Sequence, residues 1–454
     1  MSVSSINPAT GEILETFAET APAALERILD QAVAAYGAWR RFSYAQRGQA
    51  MRQAARILRE RRAEYARTMA LEMGKPLQQG EAEAEKCAWA CEYYAEQAAA
   101  MLGDQPRVTD GSRSYVRFDP IGPVLAIMPW NFPFWQVFRF AAPALMAGNA
   151  GLLKHAPNVT RCALAIEEVF RQAGFPEGLF RTVILQNEAV AGVIADPRVR
   201  AATLTGSDRA GSQVAAQAGT HLKKMVLELG GSDPFLVLED ADVDQAARTA
   251  AEARLLNSGQ SCIAAKRFIV VESVADRFLE TFVSEMAARR LGDPLAPATQ
   301  LGPQARLDLR ANLHRQVTES VRRGARLLLG GKLPDGPGCY YPATVLAAVH
   351  EGMPAFDEEV FGPAAAVIRV PDETQALRVA NASRYGLGAS VWSTDPARGE
   401  RLARELEVGS VFVNGLVRSD PRLPFGGVKR SGYGRELSEY GLKEFVNIKT
   451  VWVA

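Results

Sequence analysis

A thiol, a carboxylate and an amide stand in this chain where each could do chemistry. Cys262 lies in Asn257-Ser-Gly-Gln-Ser-Cys262-Ile, after a helical run, a glycine and small polar residues. A thiol on such a loop is a nucleophile once it becomes a thiolate, and a free cysteine has a pKa of about 8.5. A helix terminus or a nearby cation would lower that value; a buried structural cysteine is the plainer reading. Glu228, in Val226-Leu-Glu228-Leu-Gly-Gly-Ser-Asp, ends an apolar run and precedes two glycines. At the ligand edge of a sheet a partly desolvated carboxylate suits general-base work, whereas on an open loop it is a solvated acid. Asn131, in Pro129-Trp130-Asn131-Phe132-Pro133, offers amide donors in an aromatic setting. That is what an oxyanion hole requires, although a turn could use the same side chain. Leu204-Thr-Gly206-Ser207 ends a strand and opens a helix of small residues, where backbone N–H groups favour phosphate. The Gly-x-Gly-x-x-Gly dinucleotide fingerprint occurs nowhere in the chain.

These residues need a scaffold that brings them to one cleft. The first hundred residues read as helices, from Ala23 to Trp39, Tyr44 to Met73 and Gln79 to Met101, with Gly74-Lys75-Pro76 as a stop. Beyond them strands are expected at 114–118, 124–128, 150–154, 181–185, 201–205 and 224–228, with helices at 162–173, 189–195 and 208–218 between the later ones. The alternation predicts an α/β fold with a parallel sheet covered by helices on both faces. A second α/β stretch follows Gly230-Gly231, with helices at 241–256 and 274–289 and strands at 267–272, 364–370 and 410–414. The tail from Lys443 to Val453 alternates like a strand.

Composition bounds the function. The chain has 454 residues, 48% hydrophobic and 23% charged, with a formal net charge of +1. It is an ordinary globular mix, and no basic excess points to nucleic acid or a membrane surface. Five cysteines are too few and too odd for a disulfide framework, so a reducing compartment, the cytoplasm, is expected. Four histidines without HExxH spacing, and no Cys-x-x-Cys, make a metal site improbable. No secretory signal is read at the N-terminus. The apolar stretch from Ile121 to Leu153 is broken by prolines and polar residues and is a buried core segment.

The motifs taken together are more specific than any one of them. Trp130-Asn131-Phe132-Pro133, Leu153-Lys154, Thr205-Gly206-Ser207, Glu228-Leu-Gly-Gly, Asn257-x-Gly-Gln-x-Cys262, Glu359-Val-Phe361-Gly-Pro and Pro424-Phe-Gly-Gly-Val-Lys-x-Ser-Gly resemble the motif series of the NAD(P)-dependent aldehyde dehydrogenases, in that family's order and spacing. The resemblance spans nearly the whole chain, and its finer detail is similar to the short bacterial succinate-semialdehyde dehydrogenases. It implies a Rossmann-like dinucleotide-binding domain (1–101 and 121–229), a catalytic domain (230–428) and a small β oligomerisation arm (102–120 and 440–454), assembled as a homodimer or homotetramer. It also implies that Cys262 attacks the aldehyde, that Asn131 and the Cys262 N–H hold the oxyanion, and that Glu228 activates water to release the acid. Trp130, Lys154, Pro157, Ser207, Gly230, Glu359 and Phe361 would then contact the cofactor.

A semialdehyde with a distal carboxylate needs a cation in its site. Arg139 lies eight residues past Asn131, about two helical turns if Phe132 opens a helix. Relatives that oxidise semialdehydes place an arginine at this offset, and arginine holds carboxylates bidentately. Pairing with a structural acid is the alternative. Trp135, Arg418, Ser419 and Arg422 could complete the substrate site; a second arginine seen in some relatives is Leu256 here. Pro157 stands where NAD-preferring relatives carry a glutamate, and it offers neither repulsion nor a hydroxyl to a 2′-phosphate. NAD is therefore expected over NADP. Other semialdehydes such as glutarate semialdehyde, aliphatic aldehydes, a CoA-acylating reaction and a catalytically silent scaffold are the rival readings; the glutamate at 228 favours hydrolysis over CoA transfer.

Overall fold

The computed structural model describes residues 2–454. Two mainly parallel sheets organise the chain. The first has six strands, in the order Gly432–Tyr433, Lys224–Glu228, Ala201–Thr205, Pro123–Met128, Ala150–His155 and Phe180–Thr182. Only its first pair is antiparallel. Its central strands are buried on both faces, which is why they read as apolar runs and not as alternating ones. From Pro123–Met128 the chain moves to one side, to Ala150–His155, and later returns on the other, to Ala201–Thr205. Such a reversal opens a crevice beyond the carboxyl ends of the strands. Asn131 follows one of the two strands at the reversal and Ser207 follows the other.

The second sheet has seven strands: Arg326–Leu329, Thr344–Ala347, Ala364–Val370, Arg267–Val271, Pro234–Val237, Gly388–Trp392 and Ser410–Val413. Its first pair alone is antiparallel. A separate three-stranded sheet joins the tail to an earlier segment. Val446–Val453 pairs antiparallel with Arg113–Pro120, placing Trp452 opposite Ser114, and Gln105–Arg107 lies on the far side. Ile448 and Trp452 on the outer strand are exposed.

Several local expectations are corrected. A hairpin of Ser2–Ile6 and Ile13–Ala18 precedes the helices; its mixed polar strands carry no apolar run to announce it. The single helix expected from Tyr44 to Met73 is two, Tyr44–Glu60 and Arg62–Met73, because Arg61 leaves helical geometry (φ −107°, ψ 16°). The residues at the break are good helix formers, so packing of both helices on Leu77–Met101 sets it, against propensity. The expected strand at 181–185 ends at Thr182, after which Ile184 bonds to Thr20 instead of the sheet.

The helix that positions the site begins at Trp135, not Phe132, and runs to Ala147 with every side chain buried. Its exposed N–H groups are satisfied from outside: Glu83 Oε1 accepts the N–H groups of Phe134 and Trp135, both at 2.9 Å. The other oxygen of Glu83 is paired with the buried Lys75. No helix among the described residues is long and apolar enough to cross a membrane.

Candidate active site

A mostly apolar cavity of about 200 Å³ opens at the carboxyl edge of the first sheet. Phe132, Trp135, Arg139, Cys262, Ser419 and Phe425 are among its walls. The loop that presents Cys262 follows an unusual backbone path. Asn257 and Ser258 both lie in the left-handed region, at φ 54° and 56°, and Gly259 follows at 74°. A Cβ on Gly259 would collide with the carbonyl of Gly362, so only glycine fits. Non-glycine residues in this conformation cost on the order of 1 kcal/mol or more each and persist only where their surroundings fix them.

Here the surroundings do so. Ser258 Oγ accepts the Gly302 N–H at 2.8 Å, Gln260 Oε1 accepts the Ala305 N–H at 2.9 Å, and Arg254 Nη2 donates to the Gly259 carbonyl at 2.6 Å. The buried Lys266 ammonium donates to the carbonyls of Ser261, Cys262 and Ala264 at 3.2, 2.7 and 3.0 Å. Asn131 packs against the same loop. Its Nδ2 donates to the Gln260 carbonyl at 3.0 Å, and its own carbonyl accepts from Asn257 Nδ2 at 2.6 Å. One Nδ2 proton of Asn131 is left for another acceptor.

Glu228 is buried at the end of its strand, and neither carboxylate oxygen has a hydrogen-bond partner. Gly426 makes room for it: a Cβ there would lie 2.9 Å from Glu228 Oε1. Burial pushes the carboxyl up to about 8, with Arg139 opposing the shift and Glu436 adding to it. Burial likewise pushes the Cys262 thiol up to about 12; Arg139 draws it down and the charge of Glu228 raises it. Arg139 and Glu228 thus share one electrostatic environment with the thiol, whose raised proton affinity calls for a base within reach.

The sequence matches the aldehyde dehydrogenase family over residues 1–451. A Synechocystis protein named as a probable succinate-semialdehyde dehydrogenase (NADP(+)) is 50% identical over the full length of both chains. A Mycobacterium avium protein named succinate-semialdehyde dehydrogenase (NADP(+)) is 48% identical, covering 100% of this chain and 97% of its own. The crystal structure of succinic semialdehyde dehydrogenase from Streptococcus pyogenes in complex with NADP+ superposes with a TM-score of 0.97, at 38% identity and 99% coverage of each chain. This chain belongs to the aldehyde dehydrogenase family.

An aldehyde dehydrogenase uses a nicotinamide dinucleotide, and the crevice of the first sheet fits one. Ile127, Val190, Ile194, Leu204 and Val214 form an apolar slot suited to a purine, with Asn187, Glu188, Gln213 and Gln217 as polar neighbours. Ser207 caps the helix Asp208–Thr220, its Oγ accepting the Ala210 N–H at 3.2 Å. The remaining N–H groups of that first turn are free for an anion. Lys154 Nζ donates to Asn187 Oδ1 at 3.0 Å, and Pro157 beside it is exposed. Nearer the thiol, Trp130 and Phe361 meet edge to face at 5.7 Å. Glu359 Oε1 accepts the Gly231 N–H at 2.9 Å, and its carboxylate lies against Gly230, where a Cβ would strike it.

The substrate side holds one correction and one surprise. Arg139 lines the cavity, but its guanidinium is not free. It is ion-paired with the buried Glu436, reaches Thr205 Oγ1 at 3.5 Å and lies over the Phe425 ring. The pairing with a structural acid is the one observed, and a partner so distant in sequence left no local signal. Arg418 is exposed on the cavity wall, while Arg422 is tied to Asp420 at 2.7 Å. The surprise is Lys86. In the sequence it is one charge on an Ala/Glu-rich helix, which reads as a solvated face. In the structure its ammonium lines the cavity, donates to Ser419 Oγ at 2.8 Å and sits 4.4 Å from the Trp135 ring centroid. The nearest available clue was the helical spacing of Glu83 and Lys86, which puts both on one face.

Proposed function

We propose that the enzyme oxidises succinate semialdehyde to succinate, with NADP as its preferred cofactor. The observation that carries the reading is the Cys262 thiol on a mostly apolar cavity with cationic side chains in its wall, with Asn131 bonded to the same loop and the buried, unpartnered Glu228 bearing on the thiol's charge. The names of the Synechocystis and Mycobacterium avium relatives support the choice of semialdehyde.

In this reading Glu228 accepts the Cys262 proton and the sulfur attacks the aldehyde carbon, forming a thiohemiacetal. Asn131 Nδ2 and the Cys262 N–H hold the developing oxyanion, a donor of this kind being worth about 3 kcal/mol in the transition state. A nicotinamide dinucleotide held in the crevice would supply the hydride acceptor, and the adduct on Cys262 would thereby become a thioester. Once Glu228 has released the thiol proton to solvent it takes a proton from water, the hydroxide attacks the acyl carbon, and the Cys262 thiolate leaves as succinate forms. The elevated affinity of Glu228 for protons makes it an effective base at both points.

The choice of NADP replaces the NAD expected from position 157. Lys154 is a largely buried ammonium whose hydrogen-bonding partner is a neutral amide oxygen, leaving donors for a 2′-phosphate. The relatives named for NADP(+) favour the same choice. We further read residues 1–101 and 121–229 as the nucleotide domain, 230–428 as the catalytic domain, and the edge strand with Ile448 and Trp452 as a surface covered by a second subunit.

The test is kcat/KM for succinate semialdehyde, glutarate semialdehyde and butanal with each cofactor. Succinate semialdehyde with NADP should lead butanal by about tenfold or more, the scale of one recognised polar group. Butanal turned over as well as succinate semialdehyde would overturn the substrate assignment. Cys262→Ser should abolish NADPH formation, and residual dehydrogenation near the wild-type rate would overturn the mechanism.

A further inference from the structure

We propose that Lys86, acting with Ser419, is the anchor for the distal carboxylate of the substrate and so the residue that sets selectivity for an acidic aldehyde. The proposal rests on the succinate-semialdehyde reading above and names the group that enforces it.

Three cations line the cavity: Lys86, Arg139 and Arg418. Arg139 is already neutralised by Glu436 in a buried pair. Arg418 is exposed, where water and salt screen its charge. Lys86 is largely withdrawn from water, and among the described residues its ammonium has no carboxylate at ion-pair distance. The one acid beside it on the wall, Glu83, is spent: one oxygen pairs with Lys75 and the other takes two backbone N–H groups. The charge of Lys86 is therefore uncompensated by protein.

Ser419 completes the argument. Its Oγ accepts from Lys86 Nζ at 2.8 Å and from Trp135 Nε1 at 3.0 Å. Both lone pairs are then occupied by donors, and the hydroxyl proton has no acceptor in the protein. A buried hydroxyl that accepts twice is set to donate, and the ligand it suits is an anion. A carboxylate bridging the two would take one N–H from Lys86 and the O–H from Ser419. The Trp135 ring fixes the ammonium from one side, as expected of a cation over an indole. Cys262 lies on the same cavity as this pair. Burial, helped by the positive charge of Arg139, depresses the Lys86 ammonium to about 8, and a bound anion would restore it.

The experiment compares succinate semialdehyde with butanal, an uncharged aldehyde of the same length, in the full-length enzyme. Lys86→Met should raise KM for succinate semialdehyde by roughly 10- to 100-fold, the range for a lost charge-assisted bond, with kcat held within about threefold. Butanal kinetics should be unchanged or improved, which also reports that the variant is folded. Ser419→Ala should move KM in the same direction by about tenfold, and Lys86→Arg should restore most of the selectivity. Equal losses on both aldehydes, or a Lys86→Met enzyme that keeps its preference, would overturn the assignment. A wild-type enzyme with no preference for succinate semialdehyde would overturn the functional reading itself, a result visible before any variant is made.

Discussion

Lys266 is buried beneath the loop that carries Cys262, Lys86 stands on the cavity wall, and the two are used in opposite ways. Lys266 spends its three protons on the carbonyls of Ser261, Cys262 and Ala264. Lys86 spends one on Ser419 and keeps the rest. Burial depresses both ammonium groups. Around Lys266 the chain adds further bonds and accepts left-handed backbone at Asn257 and Ser258 to aim the thiol. Around Lys86 the fold leaves a charge and a hydroxyl proton unanswered. A buried polar group that is fully bonded holds geometry, whereas one left short of partners in a cavity is available to a ligand. Glu228, with neither oxygen bonded, belongs with Lys86 in this division.

The sharpest way to break the division is at Glu228. Glu228→Gln should remove the base for both the thiol proton and the attacking water. Steady-state kcat should fall by about 10³-fold or more, within the range of general-base catalysis. Rapid mixing should show no burst of NADPH, because the first proton transfer is lost with the second. A burst near one NADPH per subunit followed by a slow phase would show that the thiol is activated without this carboxylate. The same variant should melt higher than wild type at alkaline pH. Below pH 4.5 the group is protonated folded or unfolded and contributes no difference. Above about 8 the folded wild type alone must hold an unpartnered buried charge, which costs it stability.

Lys266→Met tests the other member of the pair. Releasing three carbonyls from their common donor should let the thiol drift, and a displacement near 1 Å can cost about 100-fold in rate. The loss should fall equally on succinate semialdehyde and butanal, because the defect lies in the nucleophile and not in recognition. The nearby charges of Asp233 and Glu359 also lose their counter-ion, so the variant should be destabilised by about 3 kcal/mol in urea unfolding. A selective loss on the acidic aldehyde would erase the distinction between the two lysines.

The sequence revealed these two roles unequally. Strands such as Ala201–Thr205 and Lys224–Glu228, whose interiors are buried on both faces, were legible to the residue. The tail was legible as a strand because it alternates, but its antiparallel register with the 113–120 segment was not. Cys262, Glu228 and Asn131 were legible as residue types at the ends of predicted elements, although their convergence depends on the strand order. Lys86 and Glu83 were not, because burial of a charged helix face is decided by what packs on it. The Arg139–Glu436 pair was hidden for a related reason: nothing near Arg139 in the chain marks an acid brought by the folding of the last thirty residues.

The gentlest probe is pH, since it alters charge without altering packing. Two groups near 8 act here in opposite senses. Glu228 must be ionised to work, so kcat/KM for butanal should rise with pH and level off above about 8. Lys86 must be ionised to bind an anion, so recognition of succinate semialdehyde should fade as pH passes about 8. The groups that bear on Lys86 are Arg139, which lowers its proton affinity, and Cys87, Glu83 and Asp420, which raise it. Glu83 and Asp420 are bound up with Lys75 and Arg422, so no free acid in the wall offsets the change. Dividing kcat/KM for succinate semialdehyde by that for butanal cancels the Glu228 limb, which both substrates share. The ratio should fall by about tenfold between pH 7 and pH 9, one proton's worth of titration. In Lys86→Met the ratio should be low and flat across the same range. A wild-type ratio that stays level would mean that the cation recognising the carboxylate does not titrate there, and would return the role to an arginine.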